Sequence, residues 1–191
     1  MSVDLRVCFL GDSFVAGVGD PEYRGWAGRL AARTQQPLTC YNLGVRRQTS
    51  EDVRARWRAE CAPRLHGFAG ALVLSFGVND TMHENGRRRV ALEDSVANLV
   101  AMLGEWPVLV AGPPPIADDE HNRRTAALND ALRAACAEHR TPYVDVLEPL
   151  RDNKNWMREV EAGDGAHPGA EGYAAYADLV WPQWTDWLTG R

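Results

Sequence analysis

The chain predicts an α/β domain with a parallel sheet covered by helices on both faces, and three observations carry that prediction. Short apolar runs rich in Val and Leu alternate with longer amphipathic stretches from end to end. The runs are nearly continuous in apolar residues, which is how strands buried on both faces read. Small polar motifs follow directly after the runs, at the carboxyl ends of strands where such sheets bind ligands.

The elements follow in order. A first strand over 5–10 ends at Gly11-Asp12-Ser13, and a short helical pattern covers 25–34. A second strand over 38–42 ends at Asn42-Leu43-Gly44, after which Thr49 and Ser50 cap a helix over 50–61 with acids in its first turn. The third strand, 71–76, runs into Gly77-Val78-Asn79-Asp80. A helix over 91–103 places Leu92, Val96, Leu99, Val100 and Leu103 on one stripe. A fourth strand, 108–111, precedes Gly112-Pro113-Pro114-Pro115, and the helix 122–139 carries Leu128, Leu132 and Cys136 on one face. A fifth strand over 143–146 and a closing helix over 170–188 complete the pattern. Such alternation requires right-handed crossovers. With 191 residues and no repeat or shift in composition, the whole chain reads as one domain.

Composition narrows the function. A net charge of −5 argues against a general nucleic-acid binder, which needs a concentrated basic surface. Lys154 is the sole lysine, so no GxxxxGK phosphate loop exists and amine chemistry has a single candidate. No apolar run approaches the roughly 20 residues of a membrane span. Met1-Ser2-Val3-Asp4-Leu5 runs into the first strand without the features of a secretory signal, so a cytoplasmic location is expected. Cys8, Cys40, Cys61 and Cys136 are scattered without a CxxC pair and read as buried thiols. A homo-oligomer is left open.

The polar motifs carry the chemistry. Ser13 follows the first strand, and Asp164-Gly165-Ala166-His167 sets an acid three residues before a histidine near the other end. A serine hydroxyl needs an imidazole to take its proton and a carboxylate to hold that imidazole in the right tautomer. The context of Ser13 fits neither GxSxG nor GxGxxG, and a turn that merely caps a helix is its plain alternative. His121 is the rival histidine, with Asp118 at the same spacing, but Asp118-Asp119-Glu120 also opens a helix, where acids belong for dipole reasons. Asn79 reads as a side-chain donor to a developing oxyanion or as a turn residue, and Gly44 could add a backbone N–H. Asp80 reads as an acid bracing its own turn, and Arg87-Arg88-Arg89 as a solvated approach to a helix, with an anion-binding rim as its minor alternative. No cluster has zinc-ligand spacing.

Taken together, Gly11-Asp12-Ser13, Gly44, Gly77-Val78-Asn79-Asp80 and Asp164-Gly165-Ala166-His167-Pro168 resemble, in order, the sequence blocks of the SGNH hydrolases, also called GDSL esterases and lipases. Phe14 replaces the leucine of GDSL. The resemblance implies a flavodoxin-like three-layer α/β/α sandwich with a five-stranded parallel sheet. It also implies a serine esterase in which Ser13 attacks, His167 is the general base and Asp164 orients it. The oxyanion hole would comprise the N–H groups of Ser13 and Gly44 and the Asn79 side chain. No metal or organic cofactor is required, and the partner is a small-molecule ester. Small soluble acyl or acetyl esters are favoured, with acyltransferase, lysophospholipase or thioesterase activity as alternatives and a non-catalytic binding module as a more distant one. Trp156 and Met157, shortly before Asp164, are candidates for an acyl-pocket wall or for core packing.

Overall fold

A computed structural model describes residues 4–189; Met1, Ser2 and Val3, expected to lead into the first strand, lie outside the described residues, as do the last two. Strand β1 (Leu5–Gly11) pairs with β2 (Leu38–Gly44) on one side and β3 (Ala69–Ser75) on the other, all parallel. A two-stranded hairpin of β4 (His83–Glu84) and β5 (Arg87–Arg88) stands apart, and the main sheet continues through β6 (Val108–Ala111) to β7 (Tyr143–Val144). The order β2-β1-β3-β6-β7 is the flavodoxin-like one, with its switch point between β1 and β3. Ser13 and Asn79 leave the carboxyl ends of those two strands.

Side chains alternate along β1, so each face of the sheet builds its own core. Val7 and Phe9 join Trp26, Trp156, Tyr173, Tyr176 and Trp184 on one face, under α2 (Gly25–Arg33), α7 (Lys154–Ala162) and α8 (Ala170–Thr189). Cys8 and Leu10 join Val53, Trp57, Leu72 and Leu74 on the other, under α3 (Ser50–Leu65), α4 (Leu92–Val100) and α5 (Asp119–Glu138). The arrangement is the expected three-layer α/β/α sandwich. The four cysteines are free thiols, three buried and Cys40 half-buried on the edge strand. Among the described residues no helix is long and apolar enough to cross a membrane.

Three local expectations change. Arg87 and Arg88 form a strand rather than a helix approach, because Asn85 and Gly86 both adopt positive φ (53° and 76°) and close a hairpin onto His83 and Glu84. Asp80 does not brace its own turn: its carboxylate accepts from the Ser50 N–H (2.7 Å) and the Ser95 hydroxyl (2.6 Å), tying together the starts of α3 and α4. Two short helices were not anticipated, α6 (Leu147–Arg151) and α7; α7 is capped by Asn153, whose side chain accepts from Asn155 and Trp156.

Candidate active site

The chain leaves β1 through Gly11, where a Cβ would sit 1.8 Å from the Ser75 carbonyl, so only glycine lets the two strand ends close. Asp12 then caps the single-turn helix α1 (Ser13–Ala16) by accepting from the Phe14 N–H at 3.0 Å. As the first helical residue, Ser13 has a backbone N–H without an intrahelical acceptor. Ser13 lines a cleft of about 260 Å³.

The loop after α7 brings His167 to the Ser13 hydroxyl. The His167 Nε2 is 2.8 Å from Ser13 Oγ, and its Nδ1 is 2.7 Å from Asp164 Oδ2. Asp164 Oδ1 accepts from the backbone N–H groups of Ala166 (3.0 Å) and His167 (2.8 Å). Burial alone would raise the Asp164 carboxyl, but those bonds and the imidazole outweigh it and hold the pKa down to about 2. Asp164, ionised at neutral pH, accepts the hydrogen bond of the Nδ1–H, which fixes the tautomer that leaves the Nε2 lone pair facing the serine. The ring also packs on Phe14, with centroids 4.9 Å apart.

His121 plays no such part. Asp118 meets its backbone N–H at 2.9 Å, as a helix cap, while the ring Nε2 lies 3.0 Å from both the Thr81 hydroxyl and the Val78 carbonyl. Burial holds its pKa below the ordinary histidine value. It lines the cleft from a structural position.

Asn79 is nearly buried, and its amide nitrogen donates to the Gln48 carbonyl (3.0 Å) and to Asp12 Oδ2 (3.3 Å). Gly44 departs from expectation. Its N–H donates to Asn42 Oδ1 (3.0 Å), it does not line the cleft, and a Cβ there would meet the Ala16 nitrogen at 2.2 Å. Gly44 thus packs closely against α1.

The turn that follows does line the cleft, through Arg46 and Arg47. Val45 N–H donates to the Gly11 carbonyl, Gln48 N–H to the Val45 carbonyl, and Arg89 Nη1 to the Arg47 carbonyl. Arg47 is held in left-handed backbone at φ 66°. Among the described residues no acceptor engages its N–H. Beneath the turn, Arg56 donates to Gln48 Oε1 (2.6 Å) and to the carbonyls of Gly11 (3.1 Å) and Leu43 (2.8 Å).

The apolar wall is Phe14, Val78, Met82, Ile116 and Ala166. Trp156 and Met157 are elsewhere. Trp156 is fully buried behind Phe14, its indole N–H donating to the Pro115 carbonyl at 3.1 Å, and Met157 packs against the same core. The sequence alone does not single out Val78, Met82 and Ile116 as cleft wall, although Val78 lies within one of the strand-end loops and Met82 and Ile116 follow shortly after such loops.

Solved structures share the fold. A member of the lipolytic protein G-D-S-L family from Veillonella parvula superposes with a TM-score of 0.79 at 22% identity, covering 95% of this chain and 98% of that one. The acetylxylan esterase Axe2 from Geobacillus stearothermophilus gives 0.75 at 16% identity over 96% of each chain. TesA gives 0.76 at 24% identity over 95% of this chain and 99% of its own. No curated protein matches the chain in sequence. The family model for the GDSL-like lipase/acylhydrolase family matches residues 9–175, a span that contains Ser13, Asn79, Asp164 and His167. That match covers most of the chain, and the protein accordingly belongs to the GDSL-like lipase/acylhydrolase family of carboxylic ester hydrolases.

Proposed function

We propose that the protein is a serine esterase that cleaves small acyl esters through an acyl-enzyme on Ser13. The observation that carries this reading is the unbroken relay from Ser13 Oγ to His167 Nε2 at 2.8 Å and from His167 Nδ1 to Asp164 Oδ2 at 2.7 Å. Ser13 Oγ attacks the ester carbonyl carbon as its proton passes to Nε2, and Asp164 stabilises the imidazolium that results. The tetrahedral intermediate collapses, the alcohol leaves with the proton from Nε2, and the acyl group stays on Ser13. Water then attacks with His167 again as base, and collapse releases the acid and restores the serine hydroxyl.

The negative charge on the tetrahedral oxygen needs donors fixed in advance. Ser13 contributes its free N–H, and Asn79 contributes one amide proton by releasing its longer bond, the 3.3 Å contact to Asp12. In place of Gly44 we assign the third donor to the Arg47 N–H, which belongs to a cleft-lining turn and has no competing acceptor among the described residues.

A cleft of about 260 Å³ lies below the usual range of roughly 300–1,000 Å³ for drug-sized ligands, which favours a short acyl group such as acetyl. The acetyl chemistry in the name of the Geobacillus stearothermophilus relative agrees with that choice. Hydrolysis of p-nitrophenyl esters from acetate to palmitate, with and without an added alcohol acceptor, tests the reading. Rates should fall steeply beyond the shortest chains, water should be the dominant acceptor, and Ser13→Ala should be inert. A preference for palmitate, or transfer to the alcohol in place of hydrolysis, would overturn the substrate assignment.

A further inference from the structure

We infer that the ester taken by this cleft carries an anionic group, a carboxylate, phosphate or sulfate, which the guanidinium groups of Arg46 and Arg47 bind beside the scissile carbonyl. The inference rests on the esterase reading of the same site and adds the charge of its substrate.

Both arginines line the cleft with Ser13, Asn79 and His167. Neither side chain has an acid or a carbonyl partner among the described residues, whereas Arg56, Arg89 and Arg124 around them are paired with Glu60, Glu84 and Glu120. The acids adjoining the catalytic groups are committed. Asp164 is satisfied by His167 and Ala166, and Asp12 lies buried under α1 with the Phe14 N–H and the Asn79 amide. Two adjacent positive charges therefore line the cleft with no acid among the described residues paired to either of them.

The backbone beneath them is also fixed. The turn is tied to β1 through Val45, to the hairpin through Arg89, to Asn79 through the Gln48 carbonyl, and to α3 through Arg56 on the Gln48 side chain. It keeps Arg47 left-handed, a conformation that costs an ordinary side chain energy and that persists where surrounding structure enforces it, commonly at functional sites. Fixing the backbone limits the freedom that a pair of surface arginines otherwise loses on binding. The guanidinium fork matches the paired oxygens of a carboxylate or phosphate, and such bonds are among the stronger polar contacts available. The apolar wall of Phe14, Val78, Met82 and Ile116 then takes the short uncharged remainder.

Two matched pairs of esters test this. One places the charge on the acyl side: the mono-p-nitrophenyl ester of glutaric acid against its methyl-capped neutral counterpart. The other places it on the alcohol side: 4-acetoxybenzoate against its methyl ester. We expect kcat/KM to favour the anionic member by roughly tenfold in one pair, which identifies the side that carries the charge. Arg46→Gln should shrink that ratio, the double substitution Arg46→Gln/Arg47→Gln should bring it near unity, and added salt should weaken it in the unmodified enzyme. Thermal melts confirm that each variant is folded. A ratio at or below one in both pairs, or a ratio unchanged in the folded double variant, overturns the inference.

Ser13→Ala supplies a readout independent of turnover. Titrated calorimetrically with the same four esters, it should bind the preferred anionic ester roughly tenfold tighter than its neutral partner, and only while both arginines are present. Cleavage without charge preference refutes the anion site alone. Charge-selective binding in a protein that cleaves none of the esters refutes the esterase reading and leaves the anion site standing.

Discussion

Asp12 is the acid directly before the nucleophile, and it is only 1% exposed. Burial pushes its carboxyl up, the nearby Asp80 adds to that, and bonds from the Phe14 N–H and the Asn79 amide offset only part, so its pKa stands at about 7. A carboxyl raised in the folded protein keeps a proton that the unfolded chain has already lost. Native stability should therefore decline as pH rises from about 4 towards 7, and level off above that. The gap from the 3.8 of an ordinary aspartate sets a ceiling of about 4 kcal/mol, at ~1.4 kcal/mol per pH unit. Asp12→Asn retains an oxygen to accept from Phe14 and has no proton to lose. Urea melts of both proteins at pH 4.5, 6 and 8 isolate the effect, because every other titrating group is shared. The stability of Asp12→Asn relative to the parent should rise by about 2–4 kcal/mol between pH 4.5 and pH 8. Parallel stability curves would mean that Asp12 ionises like an exposed acid, and the reasoning about its burial would be wrong.

Further expectations concern the groups around the cleft. Asn79→Ala should lower kcat on a good ester by roughly 10²–10³-fold with KM little changed, since the donor acts on charge present only in the tetrahedral intermediate; steady-state kinetics with a thermal melt decide it. His167→Ala should remove nearly all turnover, whereas His121→Ala should leave activity within a few-fold and cost about 1–3 kcal/mol of stability through its lost bonds to Thr81 and Val78, measured by denaturant melts. Arg47→Gly should raise stability by up to about 1 kcal/mol by relieving the left-handed arginine, and a lower melting temperature would show that the side chain stabilises its own turn.

Much of this molecule was legible because its signals are local. An apolar run buried on both faces cannot hide its character, and β1, β2, β3 and β6 stand at or near the expected residues. Ser13 and the Asp164/His167 pair were legible for the same reason: a polar triplet after a strand and an acid–imidazole pair in a glycine-bracketed loop are short-range patterns. What escaped depends on tertiary approach. Gly44 reads as a place for substrate, yet its missing Cβ accommodates Ala16 of α1. The left-handed turn residue that does line the cleft is an arginine, a type that sequence reasoning does not expect at positive φ. Trp156 is eight residues from Asp164 in sequence, but the short helix α7 turns it into the core behind Phe14. Asp118 and His121 share the spacing of the Asp164/His167 pair because an Asp three residues back is also how a helix is capped. The hairpin at 83–88 was readable in principle, since Asn85-Gly86 is the strongest short turn signal there is, but its strands are only two residues long.

The central claim is that Ser13, activated by His167, is the nucleophile. Labelling with a fluorophosphonate, followed by mass spectrometry of the intact protein and its peptides, tests it most directly, because the probe bonds to an activated serine whatever the natural ester. The account predicts a single adduct on Ser13, absent from Ser13→Ala and formed far more slowly in His167→Ala. An adduct on another residue, or labelling that persists in Ser13→Ala, would contradict it.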